Sequence, residues 1–199
     1  IERKENADRK KDEAEHYGNI VDAVLTFEEL TTWLMEWAVK VGPICILVLG
    51  LIYMLGKKVI LNPAPAHPLP ESLLRNLYML IANETEAEYI SGIQITDMNS
   101  VARAADIICG KGVGNVVITL GSKGAFVKER GAYHQVQGLK VKAVDATAAG
   151  DTFCGALCVA LAEGKSITEA VEFANRAAAI TVTRMGAQSS LPYRREVER

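Results

Sequence analysis

The chain has 199 residues, a formal net charge of −2 at pH 7 and a sequence pI near 6.0, which suits one domain or one domain with an appendage. That charge balance gives no reason to expect nucleic acid as a partner. The four cysteines (Cys45, Cys109, Cys154 and Cys158) have no paired metal-ligand spacing. Buried, reduced thiols in a reducing cytoplasm are preferred over contact between Cys154 and Cys158, which lie one helical turn apart.

The chain begins with Ile1 rather than Met, which points to a fragment or a processed product, and no signal peptide is expected. Residues 1–16 are almost continuous charge and read as a solvated helix or a disordered arm. Over residues 20–39, Val21, Val24, Leu25, Leu30, Leu34 and Trp37 recur at helical spacing. Residues 41–55 then carry no charge, between Trp33 and Trp37 on one side and Lys57 and Lys58 on the other. This run is short of the ~20 residues of a full span, unless Trp37 and an interfacial Lys40 are counted in. Three readings stand: a membrane helix drawing on residues 33–56, a buried core helix, or a fusion remnant. The pattern loosely resembles the first membrane helix of small mechanosensitive channels.

From residue 57 to 199 the sequence reads as a second, cytoplasmic α/β part, distinct from residues 1–56. A strand over 59–61 ends at Asn62, Pro63, Ala64 and Pro65. Helix signals cover 70–77, a strand 78–82, helices 84–90 and 98–109, and a buried strand 115–120. Strands over 125–128 and 133–136 suit a hairpin around Glu129, Arg130 and Gly131. Two helices close the chain, one after Gly150 and ending near Gly164, the other over 167–183. Alternating strands and helices predict a parallel sheet covered on both faces.

Chemistry concentrates in the stretch from Asp145 to Phe153. Small residues (Ala148, Ala149, Gly150) permit a tight turn, with Gly150 the expected carrier of an unusual backbone angle. Free N–H groups and the dipole at the start of the next helix favour anionic oxygen. Asp151 sits in that mouth, and phosphoryl transfer to a hydroxyl needs a base beside an anion cradle. A capped core helix explains the same residues. Asn83 and Glu86 are spaced to face phosphate and hydrated Mg²⁺, or to cap a helix. Thr119, Leu120, Gly121, Ser122, Lys123 and Gly124 form a phosphate-approaching turn, or simply a glycine turn into a hairpin.

Taken in order, Asn83 to Glu86, Thr119 to Gly124, Asp145 to Asp151, and Arg184 to Ser190 resemble the carboxy-terminal half of ribokinases, within the PfkB-type sugar kinase family. The segments 61–65, 82–88, 148–153 and 182–188 carry the likeness, which runs from about residue 57 to 198. The resemblance implies a partial Rossmann-like, ribokinase-type sheet with helices on both faces. It implies ATP-dependent phosphorylation of ribose at its 5-hydroxyl. Asp151 would be the base, and the amides of Ala148, Ala149 and Gly150 the anion hole. Asn83, Thr119, Leu120, Gly121, Ser122, Lys123, Gly124 and Asn175 would line the ATP site, and Glu86 would hold Mg²⁺ through water. A monovalent cation, usually K⁺, would be held by Asp145, Thr147, Thr181, Arg184, Gly186 and Ser190, mostly through backbone carbonyls.

The amino-terminal half of that family, with its sugar contacts and its dimer-forming lid, has no counterpart in residues 1–56. Two hypotheses therefore stand: a ribokinase-type phosphotransferase, or a non-catalytic nucleotide-binding module, membrane-tethered or fused, that lacks the sugar site. The first strand of the sheet is expected to present an unprotected edge.

Overall fold

A computed structural model describes residues 58–198, within a unit spanning Leu49–Arg199. The charged arm, the amphipathic segment, the apolar run and the junction at residues 56–57 lie outside the described residues. No described helix is long and apolar enough to cross a membrane.

Five strands lie side by side in chain order: β1 Ile60–Leu61, β2 Met79–Asn83, β3 Asn115–Thr119, β4 Ala125–Glu129 and β5 Ala132–Val136. The short helix α1 (Glu71–Leu74) precedes β2. Helices α2 (Glu84–Ser91) and α3 (Met98–Gly110) connect β2 to β3. α4 (Ala149–Ala162), α5 (Ile167–Thr181) and the short α6 (Arg194–Val197) complete the chain. α1 stops well before residue 77, because Arg75 and Asn76 close a tight turn through the Leu77 N–H to Leu74 O bond of 3.1 Å.

The expected parallel sheet is mixed. β1, β2 and β3 are parallel, but β4 and β5 run antiparallel to their neighbours. The reason is local: only residues 120–124 join β3 to β4, and two residues, Arg130 and Gly131, join β4 to β5, both with positive φ (47° and 85°). That pair forms a two-residue hairpin, and a parallel crossover needs a dozen residues or more.

Strand side chains alternate between two cores. Met79, Ile81, Val117 and Val127 point to one face and pack with Phe153, Leu157 and Ala174 of α4 and α5. Leu80, Ala82, Val116, Ile118 and Phe126 point to the other, against Ala87, Val101, Ala104 and Ile108 of α2 and α3. β2 and β3 are thus covered on both faces, which explains their unbroken apolar runs. Each such Leu, Ile or Val contributes roughly 1.5–3 kcal/mol through burial.

Candidate active site

The carboxyl ends of β2 and β3 stop in register, Asn83 opposite Thr119, so the turns that follow them open at the same end of the sheet. After β2, Asn83 caps α2. Its Oδ1 accepts from the Glu86 N–H at 2.8 Å, while Glu86 Oε2 accepts from the Asn83 N–H at 2.9 Å. This reciprocal pairing satisfies two helix-end donors and leaves Oε1 of the buried Glu86 unengaged among the described residues.

After β3 the chain makes a single tight turn, Gly121–Lys123, and reverses through Gly124 at φ 94°. A methyl group on Gly124 would stand 2.1 Å from the Val136 carbonyl oxygen and 2.4 Å from the Gly138 N, and one on Gly138 would stand 2.5 Å from the Ser122 oxygen. Two backbone segments therefore cross at a distance only glycine allows.

Asp145 ties the next turn to the end of α5. Its Oδ1 accepts from the Thr147 N–H and its Oδ2 from the Gly186 N–H, both at 2.9 Å. The Val182 carbonyl accepts from the N–H groups of Val144 (2.7 Å) and Asp145 (3.2 Å). Hydrogen bonds from Thr147 first, and then from the Gly186 amide, hold the Asp145 carboxyl below its ordinary value.

The residue with the unusual backbone is Ala148, at φ 61° and ψ 8°, not Gly150. Gly150 lies inside the first turn of α4, and a methyl group there would meet nothing within 4 Å. Its lack of a side chain leaves open space rather than permitting a twist. The Ala149 N–H donates to the Ala146 carbonyl at 3.2 Å, whereas those of Ala148, Gly150 and Asp151 have no acceptor among the described residues. These orphan donors, the helix dipole and the exposed Asp151 carboxylate share one helix start. One turn on, the Cys154 thiol is pushed up to about 11 by burial first, then by the charges of Cys158, Asp151 and Glu86. Cys109, Cys154 and Cys158 are free thiols.

A cavity of about 470 Å³ joins these parts, a volume within the usual range for small-molecule sites. Thr119, Gly121, Ser122 and Gly124 line one side, Ala149 and Gly150 the mouth, and Asn175 with Ala178, Ala179 and Val182 the wall supplied by α5. Asn175 is buried, its Nδ2 3.4 Å from the carbonyls of both Val136 and Gln137. Leu120 and Lys123 instead line a neighbouring hollow of about 360 Å³ with Thr96 and Asp97. Asn83, Glu86 and Asp151 stand outside the cavity lining.

Of the cation candidates, Asp145, Thr147 and Gly186 meet through the bonds above. The Thr181 carbonyl accepts from the Arg184 N–H at 3.0 Å, and the Arg184 guanidinium pairs with Glu196 at 2.5 Å. Ser190 is buried, with its hydroxyl on the Ala187 carbonyl. The segment after β5 also belongs to the cavity, which Gly138, Leu139, Lys140 and Val141 line. Its signal was a glycine followed by apolar and basic residues in alternation.

A parallel core, the 120–124 turn and the start of α4 thus meet around one cavity. The sequence profile of the pfkB family of carbohydrate kinases matches residues 54–194, and the chain belongs to that family. Among its relatives, the ribokinase of Haemophilus influenzae is 49% identical over 141 residues, covering 71% of this chain and 46% of the relative. The crystal structure of ribokinase from Thermotoga maritima is 46% identical, with a TM-score of 0.66 over 71% of this chain and 48% of that one. Arabidopsis thaliana ribokinase, solved with ribose and ATP, superposes with a TM-score of 0.74 at 35% identity, over 78% of this chain and 51% of that one. The chain spans about half the length of the relatives it matches.

Proposed function

We propose that this chain forms the nucleotide-binding side of an ATP-dependent sugar kinase of ribokinase type, whose reaction moves the γ-phosphoryl group of ATP to the 5-hydroxyl of D-ribose. The observation that carries the reading is the start of α4, where the Asp151 carboxylate and the N–H groups of Gly150 and Asp151, which have no acceptor among the described residues, adjoin Ala149 and Gly150 of the cavity lining.

In this reading the triphosphate lies along the turn of Thr119, Gly121, Ser122 and Gly124, where glycines let the backbone approach it closely. Leu120 and Lys123, in the same turn, face the neighbouring hollow. The nucleoside lies between Asn175 and the apolar wall of Leu139, Val141 and Val182. The Asp151 carboxylate accepts the proton of the sugar hydroxyl while its oxygen bonds to the γ-phosphorus. The bond from that phosphorus to the bridging oxygen breaks, and ADP leaves with the electron pair. N–H groups of the 148–151 turn stabilise the charge on the transferred group, and their fixed orientation avoids reorganisation during the step.

The donor set also fits the two ions of the reading. The free Oε1 of Glu86, beside Asn83, suits a hydrated Mg²⁺, which neutralises phosphate charge when bound. The carboxylate of Asp145 and the neutral oxygens of Thr147, Thr181, Arg184, Gly186 and Ser190 suit a large, weakly hydrated K⁺ that orders the turn before Ala148. The sugar-contacting residues are assigned to the half of the relatives that this chain does not span.

Two measurements test the reading. ADP release with ribose and K⁺ should fall at least ~10³-fold in Asp151→Asn with no change in Tm, because the general base is lost. Equal rates in the two proteins overturn the catalytic assignment. Calorimetric titration with ATP should show binding in both. ATP binding without any ribose-dependent turnover would leave this chain as a nucleotide module and overturn the transfer step for it.

A further inference from the structure

The turn that presents the phosphate-facing amides rests on a residue in an unfavourable conformation, and two buried hydroxyls secure it. We propose that Thr152 and Thr181 are positioning residues, whose side chains form a relay from α5 that holds the peptide unit joining Ala148 to Ala149. The proposal rests on the reading above that this turn receives the γ-phosphate.

An alanine at φ 61° persists only where its surroundings hold it there. The Ala148 carbonyl is the first acceptor of α4, and it takes two donors from one residue. The Thr152 N–H lies 2.9 Å away and the Thr152 hydroxyl also 2.9 Å. The Thr152 Oγ1 is in turn 3.1 Å from the Thr181 Oγ1 on α5, which also lies 3.3 Å from the Ala177 carbonyl. Two hydroxyl protons serve these three contacts. Thr152 gives its proton to the Ala148 carbonyl, and its free lone pair accepts the proton that Thr181 shares with the Ala177 carbonyl.

Thr181 is fully buried and Thr152 nearly so, so water does not replace a missing hydroxyl. The far end of the same peptide unit is also fixed, by the Ala149 N–H on the Ala146 carbonyl. With both ends held, the amides of Gly150 and Asp151 follow in a set direction. Without the relay, this one peptide unit is free to rotate about ψ of Ala148 and φ of Ala149, which turns the next N–H groups away from the cavity mouth. Thr152 and Thr181 touch neither the nucleotide nor the sugar in this reading; they act through Ala148.

The test titrates the chain with ATP and with ADP by calorimetry, recording Tm for each variant. Thr152→Val keeps the shape and removes the hydroxyl, whereas Thr152→Ser keeps the hydroxyl and removes a methyl group. Loss of the hydrogen bond on Ala148 should weaken ATP binding by ~10-fold, while ADP affinity stays within ~2-fold. Thr152→Ser should keep the wild-type ratio of ATP to ADP affinity although its Tm falls. Thr181→Val, which removes only the backing of the relay, should weaken ATP by ~3-fold and decides the matter if Thr152→Val does not fold. An unchanged ratio in both valine variants overturns the proposal, as does an equal change in Thr152→Ser that follows Tm. If wild type binds neither nucleotide, the phosphate reading of the turn fails first, and the relay is then only a packing element.

Discussion

The two turns that face the cavity are held by opposite means. The 120–124 turn is fixed by exclusion: Gly124 and Gly138 bring backbones so close that no side chain fits between them. The 145–151 turn is fixed by attachment, through the Asp145 carboxylate, the Val182 carbonyl and the hydroxyls of Thr152 and Thr181. A turn fixed by exclusion has one shape or none. A turn fixed by polar ties keeps its fold when a tie is cut, but loses its setting.

The strongest test of that contrast exchanges glycine for alanine in each turn. In Gly124→Ala, a methyl group within 2.1 Å of a carbonyl oxygen and a positive φ should together cost about 3 kcal/mol, read as a lower urea midpoint. Gly150→Ala should instead keep or raise stability, by up to ~1 kcal/mol of helix propensity, while its methyl group at the cavity mouth weakens ATP binding. Equal destabilisation of the two variants would break the comparison.

A smaller effect separates the ties by pH. Asp145 has its carboxyl lowered from the ordinary 3.8 in the folded protein, so its stabilising tie is fully present above that value. It is lost as pH falls through 3.8 and then through the folded value. The Tm gap between wild type and Asp145→Asn should therefore be widest near neutral pH and close below about pH 3.8. A gap that widened in acid would reverse the assignment.

The smallest effect sharpens the account of Ala148. Ala148→Gly removes the left-handed strain of ~1–2 kcal/mol and adds unfolded-chain entropy of ~0.4–1 kcal/mol. The net expectation is a gain of about 0.5 kcal/mol, visible as a slightly higher Tm. A clear loss would mean that the Ala148 methyl group itself packs usefully.

Much of this arrangement was legible residue by residue. The apolar run of β3, the hairpin at Arg130 and Gly131, and the helix after Gly150 all lie where local pattern puts them, because each depends on near neighbours. The misreadings depend on distant ones. Gly150 was the natural candidate for a strained angle, yet the strain sits on Ala148, where Thr152 and Thr181 can hold it. Gly138 gave little sign of its role, because what makes it necessary is the Ser122 carbonyl on the other side of a hairpin. Asn83 and Glu86, taken alone, read better as a helix cap than as a site for phosphate and hydrated Mg²⁺, and the geometry displays the cap. The antiparallel half of the sheet was foreshadowed by the hairpin and obscured by the general alternation of strands and helices.

The strand order has a kinetic consequence. Each strand pairs with the one made just before it, so the docking edge already exists when the next strand leaves the ribosome. Searches along the chain stay short, and short searches are fast. The crossing of Gly124 by Gly138 comes last in this sequence, after β5 has returned along β4. Pairing of β5 and closure of the 120–124 turn are then one event, and pulse-labelling exchange should find the amides of 120–124 protected together with those of β5.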